Sequence, residues 1–373
     1  MRYDFADILT QVIERNASDL HVTPGVPPMI RERGSLAPLE GLSTLTATDT
    51  REIVYSILNN AQRQRLETEQ QLDFSYSVPS KGRFRVNAYY QRSSVSAAFR
   101  LIPSKTVPIE TLGLPPVIRD FVNKPRGLIL VTGPTGSGKS TTLASIIDEI
   151  NQTREDHILT IEDPIEFVHQ HKRCIVNQRE LGTDTPSFAL ALKAALRQDP
   201  DVILVGEMRD METIGTALTA AETGHLVFAT LHTQDAPQTI DRIIDVFPSN
   251  QQGQVRMQLA VGLQGIVTQT LVPTADGAGR TVACEILVPT AGVRNLIREA
   301  KIHQLYSLIQ TGASHGMQTM DASLAGLVRA GKITMAVAES RSSNAMELRR
   351  LVEAGGAMQV PGVYDTAASK VAI

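Results

Sequence analysis

The stretch from Gly127 to Thr142, GLILVTGPTGSGKSTT, constrains the fold more than any other part of this chain. An apolar run ends in a glycine-rich turn, Gly133 to Ser140 fit G-x-x-x-x-G-K-[ST], and a helix-forming run follows at once. Strand, turn and helix in that order make the phosphate cradle of an α/β domain. Gly133, Gly136 and Gly138 let the backbone turn tightly and aim successive N–H groups at phosphate oxygens, with Pro134, Thr135 and Ser137 between them. The helix KSTTLASIIDEI carries Leu143, Ile146, Ile147 and Ile150 on one face, so it packs inward and leaves its positive N-terminal end where phosphates would sit. Lys139 can neutralise the β- and γ-phosphates and Ser140, with Thr141 beside it, can ligate magnesium. ATP and Mg2+ are the expected ligands. A plain Gly/Ser surface turn would not be flanked by a strand and a helix.

Four apolar runs, GLILVT, HILTI, DVILVG and HLVFAT, alternate with helical stretches. Runs that are apolar throughout suit strands buried on both faces, hence a central, mainly parallel sheet. Ahead of them lies a different texture. Residues 1–102 mix a helix (FADILTQVIERN) with strand-like pieces (GRFRVNAYY, SVSAAFRLI) and turns, as in a small α+β domain. Residues 103–116 hold four prolines in fourteen residues, which suits an extended connector. The predicted organisation is thus an N-terminal domain at 1–102, a Pro-rich linker at 103–116, an α/β motor domain at 117–345 and a loosely held tail at 346–373.

Three further motifs carry acids or histidines at strand ends. In PDVILVGEMRD, Glu207 follows a buried strand at the edge where α/β sheets bind ligands. It either polarises an attacking water and helps hold the metal, or caps the helix that begins near Met211. Many phosphate-loop enzymes place an Asp directly before such a Glu, and here Gly206 stands instead. In LTIEDPIEF, Glu162, Asp163 and Glu166 are either metal- and water-positioning carboxylates or an acidic turn around Pro164. GHLVFATLHT places His225 at the start and His232 at the end of a strand, each a structural histidine or, for His232, a γ-phosphate sensor.

Taken in order, the phosphate loop, TIEDPIE, ILVGEMRD and ETGHLVFATLHT resemble the Walker A, Asp box, Walker B and His box of the type II and type IV secretion ATPases. That family has a glycine before its Walker B glutamate, as at Gly206. ASDLHVTPGVPPMIRERGSL and GRFRVNAYYQRSSVSAAFRLIP resemble its PAS-like N-terminal domain, and the likeness runs over about residues 4–345. The resemblance implies a RecA-like motor domain in a homohexameric ring, with ATP between the two domains of one subunit and facing a neighbour. Arg85 and Arg100, with Arg83 a weaker candidate, would reach the phosphates from the N-terminal domain. Taken locally, the same arginines are solvated strand charges.

Two features point to one branch. Assembly-type members carry a four-cysteine metal element and extra N-terminal domains, whereas this chain has two cysteines, Cys174 and Cys284, and begins directly with the small domain. GVRNLIRE, Gly292 to Glu299, is similar to the AIRNLIRE element of the twitching-motility (PilT) retraction ATPases. Arg294 and Arg298 share a helix face as i,i+4 neighbours and are expected to be exposed, with Leu296 and Ile297 turned inward. By itself the segment is a plain amphipathic helix; with the resemblance it transmits hydrolysis to movement. The implied work is disassembly of a type IV pilus beneath an inner-membrane platform protein, in the cytoplasm.

Composition limits the alternatives. No apolar run approaches the ~20 residues that span a bilayer, and MRYDFADILTQVIERN has no small-residue cleavage site. A net charge of -3, no Trp and 4% aromatic residues give no basic or aromatic track for a nucleic-acid strand.

Overall fold

A computed structural model describes residues 5–354 except 33, 80 and 104. The chain divides into two compact units, the first comprising residues 1–105 together with 164–168 and 180–184, the second the remainder.

The first unit is built on one antiparallel sheet. Its strands are β1 (Asp19–Val22), β2 (Met29–Glu32), β3 (Ser35–Pro38), β4 (Gln71–Val78), β5 (Gly82–Gln91) and β6 (Ser94–Ile102), in the order β3-β2-β1-β6-β5-β4. The helix Phe5–Glu14 buries Phe5, Ile8, Leu9 and Val12, the i, i+3, i+4, i+7 stripe of a helix packed on one side. Its Phe5 ring lies 5.2 Å from that of Phe99 on β6. Thr46 and Asn59 each start a helix with a reciprocal capping box, Ala47–Ser56 and Asn60–Glu69.

The second unit holds a seven-stranded sheet: β7 (Gly127–Thr132), β8 (His157–Glu162), β9 (Ile175–Glu180), β10 (Val202–Val205), β11 (Leu226–Leu231), β12 (Leu263–Pro273) and β13 (Arg280–Leu287). The order is β13-β12-β7-β11-β10-β8-β9. Strands β12, β7, β11, β10 and β8 run parallel and β13 antiparallel to β12. The four apolar runs of the sequence are β7, β8, β10 and β11. Their alternate residues enter two separate cores: Leu128, Leu130, Ile203, Val205, Val227 and Ala229 on one face, Ile129, Val131, Val202, Leu204, Leu226 and Phe228 on the other. Burial on both faces is why these runs show no polar alternation.

Beyond residue 105 the Pro-rich stretch is anchored rather than extended throughout. Ile109–Leu112 makes a 3-10 turn, Ile109 joins the core with Ile146 and Ile150, and Ser145 Oγ donates to Val107 O at 2.6 Å. Of the predicted tail, Ala345–Glu353 is helical and residues 355–373 lie outside the described residues. No helix among the described residues is long and apolar enough to cross a membrane.

Candidate functional site

The carboxyl ends of β7, β11, β10 and β8 bring the sequence motifs to one edge of the sheet. Thr132, before the loop, is in register with Leu231, before His232. Val205 is in register with both Ala229 and Ile161. The edge is knitted further by Gly206 N–H donating to Ile161 O at 2.7 Å, Met208 N–H donating to Thr230 O at 3.1 Å, and Thr230 Oγ1 donating to Gly206 O. The register of a parallel sheet therefore sets the phosphate loop, Glu162, Glu207 and His232 beside one another.

Gly133 to Thr141 form the turn and the first residues of the helix Lys139–Thr153. Gly133 has φ +132°, and a Cβ there would come within 2.2 Å of Gln269 O, so only glycine fits. Gly138, at φ +91°, is the N-cap and offers no side chain, which leaves the first amides of the helix without a side-chain cap. Pro134, Thr135 and Gly136 are exposed, while Ser140 and Thr141 are half-buried. Lys139 is buried, and its Nζ donates to Gly133 O at 2.8 Å and Pro134 O at 3.0 Å, holding the cation inside the loop. Ser137 is buried with its Oγ lacking a hydrogen-bond partner, an orphaned donor inside a loop otherwise rich in amides. An ammonium, four hydroxyls (Thr135, Ser137, Ser140 and Thr141) and uncapped amides make a site for an anion.

Glu207 is not a helix cap. Asp210 caps Met211–Glu222, accepting from Thr213 N–H at 2.8 Å. Glu207 instead accepts from Arg209 Nη2 at 2.6 Å and faces His232 Nε2 at 3.2 Å. Its side chain is 18% exposed. The hydrogen bond from Arg209, assisted by His232 and opposed by burial, holds this carboxyl below the usual glutamate range, so it is ionised at neutral pH. Glu162 accepts from Thr160 Oγ1 at 2.6 Å and Gln178 Nε2 at 3.1 Å. Asp163 and Glu166 are exposed. His225 serves the fold: its Nδ1 donates to Ala220 O at 3.0 Å just before β11.

Gly206 acquires a physical reason here. A Cβ at this position would lie 3.1 Å from Ile161 O and 3.2 Å from Glu162 Cα. Any side chain would press on the strand end that carries Glu162, so the smallest residue keeps Glu162 and Glu207 on adjoining strands.

In the first unit, Arg85 and Arg100 are exposed and directly opposite each other on β5 and β6. Like charges so placed are unfavourable. Arg100 Nε is partly compensated by Asp19 at 2.9 Å. Burial works to raise the Asp19 carboxyl, but Ser18 and Arg100 together hold it low. Arg83 is engaged differently: its Nη2 donates at 3.0 Å to the buried carboxylate of Glu180, which also accepts from Ser75 Oγ and Ile165 N–H.

The helix Ala291–Arg298 corrects one expectation. Val293 and Ile297 are buried and Arg298 is exposed, but Arg294 is half-buried. Its Nη1 donates to Ala260 O and, at 2.8 Å, to Val261 O, the last carbonyls of the helix Ser249–Gly262. Arg294 is a C-terminal cap of a neighbouring helix and not a free surface charge. Burial, then Arg298, lowers its pKa.

Sequence reasoning assigned nothing to Arg209, although it lies in the quoted motif, and nothing to Gln178 or Gln269, whose polar side chains carry no pattern. Cys174 and Cys284 are buried and unpaired with each other. Among the described residues no group of three or more His, Cys, Asp or Glu could hold a metal ion.

The family described as "Type II/IV secretion system protein" matches residues 2–337. The chain is 53% identical over 331 residues to the type IV pilus retraction ATPase PilT of Pseudomonas aeruginosa, covering 89% of this chain and 96% of that protein. It is 53% identical over 317 residues to a twitching motility protein of Neisseria gonorrhoeae, covering 85% and 84%. A crystal structure of the pilus retraction motor PilT with bound ADP superposes with a TM-score of 0.86 at 52% identity, covering 93% of this chain and 99% of that one. This chain therefore belongs to the type II/IV secretion system protein family and, within it, to the pilus-retraction and twitching-motility ATPases.

Proposed function

We propose that this chain hydrolyses ATP as one subunit of a homohexameric ring, and that the ring retracts a type IV pilus from beneath an inner-membrane platform protein in the cytoplasm. The observation that carries the reading is the Glu207–His232 pair, 3.2 Å apart on the sheet edge that also holds the phosphate loop. The relatives' retraction and twitching functions supply the work to which hydrolysis is put.

Lys139 exchanges the carbonyls of Gly133 and Pro134 for β- and γ-phosphate oxygens, while the uncapped amides of 136–141 and the Ser137 hydroxyl donate to the same anion. Ser140, Glu162 and Glu207 are oxygen donors fitted to Mg2+, which keeps waters and phosphate oxygens and needs no all-protein cage. When bound, the ion neutralises charge on the transferring phosphate. Glu207, ionised and partly shielded from solvent, accepts the proton of the attacking water. His232 donates to Glu207 or to the γ-phosphate, so its hydrogen bond reports which is present. Arg85 and Arg100, two facing like charges on the N-terminal domain, are suited to the phosphates of ATP bound between the two domains of one subunit.

ATP turnover and nucleotide affinity of the purified protein test this. Glu207→Gln should slow turnover by roughly 10²–10⁴-fold while ATP still binds. Turnover at the wild-type rate would remove Glu207 from the chemistry.

A further inference from the structure

We propose that Glu285 is a positioning residue of this motor, fixing the turn that carries His232 by accepting the first amide of the helix beyond it. The inference rests on His232 acting at Glu207 as described above.

Glu285 is the only charged residue of the run VACEIL and is 4% exposed. A carboxylate in such a place is costly unless donors surround it. The backbone N–H of Ala236 donates to its Oε1 at 2.8 Å, and the backbone N–H of Met320 donates as well. Ala236 and Met320 each begin a helix, Ala236–Asp245 and Met320–Arg329. The carboxylate thus stands at the positive ends of two helices at once. Ala236 is four residues past His232, whose turn is held on its other side by Leu231 in β11. Between them, Thr233 Oγ1 bonds Thr239 Oγ1 at 2.7 Å and Asp235 accepts from Gln238 N–H at 2.7 Å.

The strand that carries Glu285 pairs with the strand behind the phosphate loop. On β13 it is paired with Thr268 of β12, and Thr268 Oγ1 bonds Thr132 Oγ1 at 2.8 Å, one residue before Gly133. The neighbouring Gln269 donates from Nε2 to Thr142 Oγ1 at 3.0 Å, in the helix the loop opens. Six residues along the chain from Glu285, the helix Ala291–Arg298 begins. The side chain of Glu285 therefore holds the turn bearing His232 and the helix begun by Met320, while its backbone sits in the strand paired with the one behind the phosphate loop. A hydrophobic residue could fill the same volume without burying a charge; what Glu285 adds is the acceptor.

The test compares the full-length wild type with Glu285→Leu, which removes the acceptor, and Glu285→Gln, which restores one without the charge. His232→Ala and the double variant His232→Ala/Glu285→Leu complete the cycle, with ATP turnover and ADP affinity measured for each. Glu285→Leu should lower kcat by roughly 10–100-fold, the scale of a misplaced catalytic group, with KM and ADP affinity near wild type. Glu285→Gln should recover most of that loss, and the double variant should be no slower than His232→Ala alone, because the two residues act as one unit. Wild-type turnover in Glu285→Leu, or losses that multiply in the double variant, overturns the proposal. If His232→Ala itself turns over normally, the His232 reading falls and this proposal with it; a slow His232→Ala beside a fast Glu285→Leu defeats the proposal alone. Should Glu285→Leu lack a cooperative melt, Glu285→Asp replaces it, its oxygens held one methylene short of Ala236. It should be slower than Glu285→Gln, and the opposite order overturns the proposal.

Discussion

The imidazole Nε2 of His232 lies 3.2 Å from Oε1 of Glu207, while Arg209 occupies the other carboxylate oxygen at 2.6 Å. Two cationic or donor groups on one acid keep it charged and leave little freedom in its orientation. Held ionised at neutral pH and fixed in orientation, Glu207 is ready to accept a proton from the attacking water.

His232→Ala should therefore lower kcat for ATP by roughly tenfold or more while ADP affinity stays near wild type, because the loop that holds the diphosphate is untouched. Steady-state turnover alongside equilibrium ADP binding measures both. Equal losses in the two would make His232 part of the binding site alone.

Arg294 and Arg298 lie four residues apart on one helix yet do different things. Arg294→Ala leaves the carbonyls of Ala260 and Val261 without their donor, and thermal or denaturant unfolding should show a loss of about 1–2 kcal/mol. Arg298→Ala removes an exposed side chain whose recorded partner is Asn295 at 3.4 Å, so stability and ATP turnover should be unchanged within about 0.5 kcal/mol. If this helix transmits movement, Arg298→Ala cells should nonetheless fail to retract pili. Normal retraction would make the helix a packing element.

Glu285 adds a pH dependence to stability. Burial, with Asp235 and Asp321 nearby, pushes its carboxyl up to about 7 against the helix amides that favour the charged form. Tyr306 faces the same cluster and is raised in turn, chiefly by burial. Folded Glu285 holds its proton where the unfolded chain, near the ordinary carboxylate value of about 4.3, has released it. Stability from this group is therefore full below about pH 4 and declines as pH rises to about 7, by up to roughly 4 kcal/mol. Glu285→Gln lacks that slope. Its melting temperature relative to wild type should climb between pH 5 and pH 8, and a constant difference would show that Glu285 is ionised throughout.

How much of this was visible in the sequence depended on what kind of burial each residue has. Strands β7, β8, β10 and β11 announced themselves because both their faces are buried, and their ends delivered the phosphate loop, Glu162, Glu207 and His232 together. Strands β12 and β13 did not, since Thr268, Gln269 and Glu285 interrupt them, and those polar groups are satisfied by partners far away in sequence. Helical spacing placed Arg294 and Arg298 on one face but could not show that a second helix ends beneath the first of them. Gly206 looked like a departure from a motif until the strand end of Glu162 filled the space its side chain would need. Arg83 gave no hint of Glu180, almost a hundred residues later in the chain.

If hydrolysis at Glu207 drives pilus retraction, the pili on living cells report it. Cells lacking this gene are complemented with the wild type or with Glu207→Gln, and surface pili are counted and followed for retraction. Null and Glu207→Gln cells should carry abundant pili that do not retract, with retraction restored by the wild type. Bald null cells would show instead that the protein extends pili, and that Glu207 hydrolysis does not drive retraction.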